Sequence, residues 1–345
     1  MLADTAHTRR RFLAAALAGG AGLALTPGAL ASAIRRTQPG GLILPWTEIA
    51  PGVHAMVDAS VEAAGATGGN VLIVHSGGES LVIDSKFPYL GNAIRADAET
   101  LAGGATSLIN THHHADHTGG NHAFKQRPDR VQVMAHENAA RRIRANLAGY
   151  QQAARGGPRQ ANDYAPDNER LNELARETAS NADGLNAGDF MPTLRLGDEG
   201  AITVGQIEVA YRHHGPGHTD NDLALSIDGG RVLHTGDLVF NGVNPFFDPT
   251  AGVTARGWIE SLDAVERACN PDTIVVPGHG PAGDVEIVRA QRRYLERLIE
   301  AVQADLDAGV SKEDAQAKTY DFMQGLGFES ITGRAIGAVY DELNG

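Results

Sequence analysis

Cysteine is nearly missing: Cys269 is the single one in 345 residues, which excludes an internal disulfide and any metal site built from several thiolates. Positive charge is also scarce. Lysine and arginine number 29 against 42 aspartates and glutamates, a formal net charge of −13. Nothing supplies the basic stripe that phosphates require, which argues against nucleic acid as a partner. No uninterrupted apolar run reaches the length of a bilayer span, so no membrane span is expected. The hydrophobic fraction of 42% beside 21% charged residues is that of an ordinary globular protein. The chain is long enough to bury a full core, in one large domain or two modest ones. A small-molecule substrate is expected as the partner, and composition sets no oligomeric state.

The N-terminus reads as a leader rather than as fold. Arg9, Arg10 and Arg11 precede a modest apolar stretch from Phe12 to Leu25, and small residues of A-x-A type close it at Ala29 to Ala33. A paired arginine before Phe12 and Leu13 resembles the twin-arginine type of signal. The expectation is a signal peptide over residues 1–33 and a periplasmic or secreted protein. Beyond it, β-branched runs recur between turn signals. "NVLIVHS" (Asn70 to Ser76) and "SLVIDS" (Ser80 to Ser85), split by Gly77-Gly78, predict a hairpin. "SLIN", "RVQVMA", "AITVGQIEVAYR", "DLALSI", "RVLHTGD" and "TIVVPGHG" continue the series, with helical patterns around Gly91 to Leu101 and Trp258 to Cys269. Strands mixed with helices in this order predict an α/β layered fold. The main domain is expected over residues 40–281. Within it Asn138 to Phe190, polar and poor in large apolar residues, reads as a helical insertion with flexible joints such as Arg155 to Gln160. Residues 282–345 are expected to form C-terminal helices packed on the same domain, with Gly309 stopping one helix and Ser311 capping the next.

The stretch "INTHHHADHTGGNH" (Ile109 to His122) holds five of the chain's fourteen histidines. In an extended backbone alternate side chains share a face, so His112, His114 and Asp116 would point one way and His113 the other. Imidazole nitrogen and carboxylate oxygen are ligands that zinc takes. Taken alone, the cluster is either a polar histidine-rich loop or part of a metal site. Downstream, "GPGHTDND" sets His218 in a glycine-flanked turn, "LHTGD" sets Asp237 behind Gly236, and "VVPGHG" sets His279 between two glycines. Each lies at a strand's edge where small neighbours let the backbone approach a ligand, which is where sites on α/β sheets are built.

"HxHxDH" followed by "GHT", "TGD" and "PGHG" resembles the metallo-β-lactamase superfamily of binuclear metal hydrolases, over roughly Trp46 to Pro281. The resemblance implies an αβ/βα four-layer sandwich with the site at one edge. It implies that His112, His114 and His218 hold one metal, that Asp116, His117 and His279 hold a second, and that Asp237 bridges them. The cofactor implied is two zinc ions per chain, with iron or manganese left open. A hydroxide shared by the two ions would attack an ester, thioester or lactone carbonyl, with Asp116 steering it. Thr219, Asp220 and Asp222 are the nearby candidates for orienting the imidazoles. No "GxSxG" elbow offers a protein nucleophile. Two alternatives stand beside this reading: a β-lactamase with HxHxDH ligands, and an accessory or redox member from sulfur or quinoprotein systems. Asp237 favours the first reading, because resembling β-lactamases that carry HxHxDH usually lack that bridge, whereas glyoxalase-like and lactonase-like members have it.

Overall fold

The apolar runs pair into two sheets. In the first, β1 (Thr47–Ala50), β2 (Val53–Met56), β3 (Val71–Ser76) and β4 (Glu79–Ile83) form an antiparallel meander. It is extended in parallel by β5 (Ser107–Ile109), β6 (Gln132–His136) and β7 (Leu194–Leu196). The second sheet runs antiparallel through β8 (Glu199–Val204), β9 (Ile207–Arg212), β10 (Ala224–Ile227) and β11 (Val232–Phe240), and ends with β12 (Ile274–His279) parallel to β11. The computed structural model describes residues 40–58, 60, 64–103, 107–125 and 131–345. The expected signal peptide lies outside the described residues. Among the described residues no helix is long and apolar enough to cross a membrane.

Helices α1 (Pro88–Ala102), α2 (Ala115–Thr118) and α3 (Asn121–Lys125) lie between β4 and β6 in sequence. Helices α4 (Ala139–Ala145), α5 (Leu147–Tyr164), α6 (Glu169–Ser180) and α7 (Ala187–Phe190) fill the segment before β7. Helix α8 (Ala255–Ala268) precedes β12, and α9 (Val285–Asp307), α10 (Lys312–Gln316) and α11 (Thr332–Asn344) follow it. The inner faces of the two sheets meet in one apolar layer, with Leu72, Val74, Leu81 and Ile109 from the first against Val209, Leu225, Ile227 and Val276 from the second. On the outside, Val71, Ile73 and Val82 bury against Tyr89, Leu90 and Ile94 of α1. The other outer face buries Leu238 and Val275 against Trp258 of α8 and Leu295, Leu298 and Val302 of α9. This is the αβ/βα sandwich.

Three expectations from the sequence need correction. "AITVGQIEVAYR" is not one strand but the β8–β9 hairpin, turned at Gly205 with φ of 58°. The "RGGPRQ" stretch is not a flexible joint: it runs inside α5, Pro158 included. The reason is a stripe at helical spacing, Tyr150, Ala154, Gly157 and Ala161, all buried. Three of the four are small, so the stripe carries little hydrophobic signal. Nor is the 138–190 segment without a core, since Leu171, Leu174 and Ala161 join α1's cluster while Tyr150, Ile143 and Phe190 form another.

Gly157 explains how closely α5 lies on α1. A Cβ there would sit 2.7 Å from Tyr89 Cβ, whereas one on Gly156 meets nothing within 4 Å. The two neighbours therefore respond oppositely to alanine. Gly156→Ala should stabilise by up to about 1 kcal/mol, through helix propensity alone. Gly157→Ala should instead destabilise, by about 1–3 kcal/mol of overpacking. Chemical denaturation of the two variants checks the opposite signs.

Candidate metal centre

Strand β5 ends at Ile109, and the chain does not stay extended through the histidine run. Residues 111–113 bend, and His114, with φ of −64° and ψ of 150°, caps α2. Asp116 and His117 thus project from a helical turn, where consecutive residues differ by about 100° in direction. The expectation that Asp116 shares a strand face with His112 and His114 is corrected here. The helical turn sends Asp116 toward His117 and His279 instead.

The structure gathers the seven residues into two adjoining groups. His112 Nε2 and His218 Nε2 lie 3.1 Å and 3.0 Å from His114 Nδ1. Asp237 Oδ2 faces this group, 3.4 Å from His218 Nε2 and 3.7 Å from His112 Nε2. In the second group, Asp116 Oδ2 is 3.2 Å from His279 Nε2 and 3.9 Å from His117 Nε2. Asp237 Oδ1 faces that side, 3.1 Å from His117 Nε2 and 3.6 Å from His279 Nε2. One buried carboxylate therefore presents an oxygen to each group. His112, His117, His218, His279 and Asp237 are all buried, while His114 and Asp116 open onto a cavity.

The outer nitrogens decide what the inner ones can do. Thr111 Oγ1 donates to Asp84 Oδ2 at 2.7 Å, so it accepts from His112 Nδ1 at 3.0 Å. His117 Nδ1 donates to Asp84 Oδ2 at 2.8 Å, and His114 Nε2 donates to Asp248 Oδ2 at 3.2 Å. A neutral imidazole with one nitrogen protonated presents a lone pair on the other. His112 and His114 can thus turn a lone pair inward, and His117 can do the same once a cation takes the place of its second proton. Burial, then the neighbouring imidazoles, keeps His112 well below its ordinary pKa; burial likewise takes His218 down to about 3, against the pull of Asp237. On the other side the carboxylates govern. Burial alone would lower His117, yet Asp237, Asp84 and Asp116 carry it well above its ordinary value. Converging lone pairs beside carboxylates that draw positive charge form a donor set that fits divalent cations.

Residues 64–279, more than half of the chain, match the metallo-beta-lactamase superfamily. The chain belongs to that superfamily. Over 203 residues it is 30% identical to a hydroxyacylglutathione hydrolase of Rhodospirillum rubrum, covering 59% of this chain and 57% of that protein. Over 182 residues it is 24% identical to a type 2 metallo-beta-lactamase of Bacillus cereus, covering 52% and 53%. The chain spans little more than half the length of these curated relatives. Among solved structures, a stereoselective inverting sec-alkylsulfatase from Pseudomonas sp. shares the fold. Its TM-score is 0.56 at 15% identity, over 87% of this chain and 50% of that one.

In this superfamily member the imidazoles are oriented by residues other than those anticipated. Asp222 accepts from Thr219 N and Oγ1 and fixes the turn that carries His218. Asp220 pairs with Arg142. The orienting groups are Thr111, Asp84 and Asp248. Asp84 was within reach of sequence reasoning, as an acid ending the apolar run "SLVID"; it adopts a left-handed φ of 63° and is wholly buried. Asp248 gave no such signal, because it lies 134 residues from His114. His234, read as strand packing, is buried with Nδ1 on Val276 O and Nε2 3.7 Å from Asp84. His122 sits in α3 against Pro88 O, and His213 against Asp222 O. His113 takes neither strand face but stands 3.5 Å from Asp248.

Removing such an outer partner typically costs 10–100-fold in metal affinity. Asp248→Ala should therefore weaken zinc binding by about that factor. Competition against a chromophoric chelator checks it, with Asp220→Ala, which leaves every imidazole partner in place, expected to bind like the parent.

Proposed function

We propose that the chain is a binuclear zinc hydrolase that cleaves an ester, thioester or lactone carbonyl. The observation that carries this reading is Asp237, a single buried carboxylate with one oxygen toward each histidine group. His112, His114 and His218 would hold one cation, Asp116, His117 and His279 the other, and Asp237 both. Two divalent cations so held acidify water and polarise a scissile carbonyl. The chain's own residues do the rest. Asp116, its side chain 26% exposed where that of His117 is fully covered, reaches the cavity from within the donor set. It is the group placed to take a proton from attacking water and return it to the leaving oxygen or sulfur. Thr111, Asp84 and Asp248 hold the imidazole tautomers that leave the inward nitrogens free.

The leaving group separates the readings. A β-lactam opens to a nitrogen anion, a far stronger base than an alkoxide or thiolate. A shared carboxylate adds negative charge where such an anion would need stabilising. That favours oxygen or sulfur leaving groups, and the similarity to a hydroxyacylglutathione hydrolase supports the same direction. The similarity to a type 2 metallo-beta-lactamase keeps cephalosporin cleavage as the second reading.

Specificity constants for a lactone, a thioester and a cephalosporin on one zinc-loaded preparation test the order. The lactone or thioester should lead. A cephalosporin value more than about tenfold higher, roughly 1.4 kcal/mol in the barrier, would reverse the assignment.

A further inference from the structure

The cavity over the metal-ligand groups has a volume of about 730 Å³, and its walls are not uniform. Beside the polar ligand groups, Phe87, Phe246, Phe328 and Ile331 give it apolar wall. Two of these rings flank the two histidine groups. Phe246 stands edge-on to His114 at 5.4 Å, and Phe328 stands edge-on to His279 at 5.5 Å. Both are only half-buried, so each leaves ring surface facing the cavity.

Neither ring is there by default. Phe328 adopts a left-handed φ of 60°, a conformation that a bulky side chain takes only when its surroundings impose it. The preceding residue supplies the constraint: Gly327 N donates to Gly242 O at 3.1 Å, and Gly327 O accepts from Asn244 N at 2.8 Å and from Asn244 Nδ2 at 3.0 Å. Opposite, Gly65 leaves the room that the ring needs, since a Cβ there would lie 2.5 Å from Phe328 Cζ. Phe246 is covered on one face by the Arg334 guanidinium, 4.7 Å from its centroid. Phe328, Ile331 and Arg334 all come from the C-terminal segment, beyond the residues 64–279 that match the superfamily.

Charge in the cavity away from the ligand groups is already spent. Among the described residues, Arg142 is the one guanidinium or ammonium group lining it. Arg142 Nε and Nη2 donate to Asp220, at 2.9 Å and 2.6 Å, and Nη1 donates to Thr250 O at 2.9 Å. Asp248 Oδ1 accepts from Thr250 N and Oγ1, and Oδ2 from His114 Nε2. Among these lining residues away from the ligand groups a charged substrate tail would meet no unpaired opposite charge, which makes its burial costly; Arg334 lies outside the lining, over the Phe246 ring.

We propose that the substrate carries an uncharged aromatic or branched apolar group distal to its scissile bond, clasped between Phe246 and Phe328, and that the C-terminal segment sets this specificity. The proposal rests on the hydrolase reading for the scissile bond but is tested by binding alone. Zinc-loaded protein is titrated calorimetrically with three neutral-headed amides: 3-phenylpropanamide, propanamide, and 3-phenylpropanamide bearing a para-sulfonate. The phenyl compound should bind at least about tenfold more tightly than either of the others, an aromatic contact plus burial accounting for the first gap. Phe328→Ala should lose the phenyl advantage, with zinc content unchanged by elemental analysis, and Phe328→Leu should keep most of it. Equal binding of the three amides by the parent protein, or tighter binding of the sulfonate, would overturn the proposal without any variant having to fold. Absence of turnover on every carbonyl substrate would count against the hydrolase reading and leave these binding results decisive for the pocket.

Discussion

The arrangement depends on keeping one almost wholly buried carboxylate, that of Asp237, ionised. An isolated buried carboxylate is expensive, so the surroundings must supply positive charge or change its protonation state. Here burial would raise the Asp237 pKa, and His117, His279 and His218 overcome it, holding the group well below the usual carboxylate range. The backbone is shaped to the same end. A Cβ on Gly278 would fall 1.9 Å from Asp237 Oδ1, and one on Gly69 would fall 2.0 Å from the His117 ring. Strand β12 can therefore run beside Asp237 of β11 only because the residue before His279 is glycine.

From that carboxylate outward the layers divide the work. Strands and the turns after them provide the donors: β5 leads into His112, β11 holds Asp237 within its length and β12 ends at His279. The outer sequence neighbours of those strands orient the rings, Asp84 after β4 and Thr111 after β5. Lys86, buried and with its pKa brought down to about 8 by that burial, donates to Gly69 O at 2.7 Å and Thr67 Oγ1 at 3.0 Å. It ties the 67–69 loop against the His117 side of the centre. The apolar cavity wall comes from elsewhere, from loop residue Phe246 and the C-terminal Phe328. The rigid sandwich edge fixes where bond cleavage would occur, and later-arriving segments fix what fits.

Much of this was legible in the residue order. Alternating and continuous apolar runs marked the strands around "NVLIVHS" and "TIVVPGHG", and glycine neighbours marked the strand edges at His218 and His279, whereas Asp237, expected at a strand's end, lies inside β11. What could not be read has physical causes. The turn after β5 depends on a four-residue helix too short for any periodic pattern. The packing stripe of α5 is alanine and glycine apart from Tyr150, and these carry shape rather than hydrophobic signal. Asp248 reaches His114 across the fold, and an ordinary loop aspartate advertises no such contact. Phe328 owes its position to backbone bonds made by Gly327 and Asn244, which only the folded chain reveals.

The central claim is that Asp237 joins two cation sites into one centre, since a shared carboxylate offsets the repulsion of neighbouring cations. Elemental analysis of purified protein, saturated with zinc and freed of excess, measures this most directly. The account predicts about two zinc ions per folded chain, with three or four protein ligands available to each. A stoichiometry that stays near one with zinc in excess would contradict it.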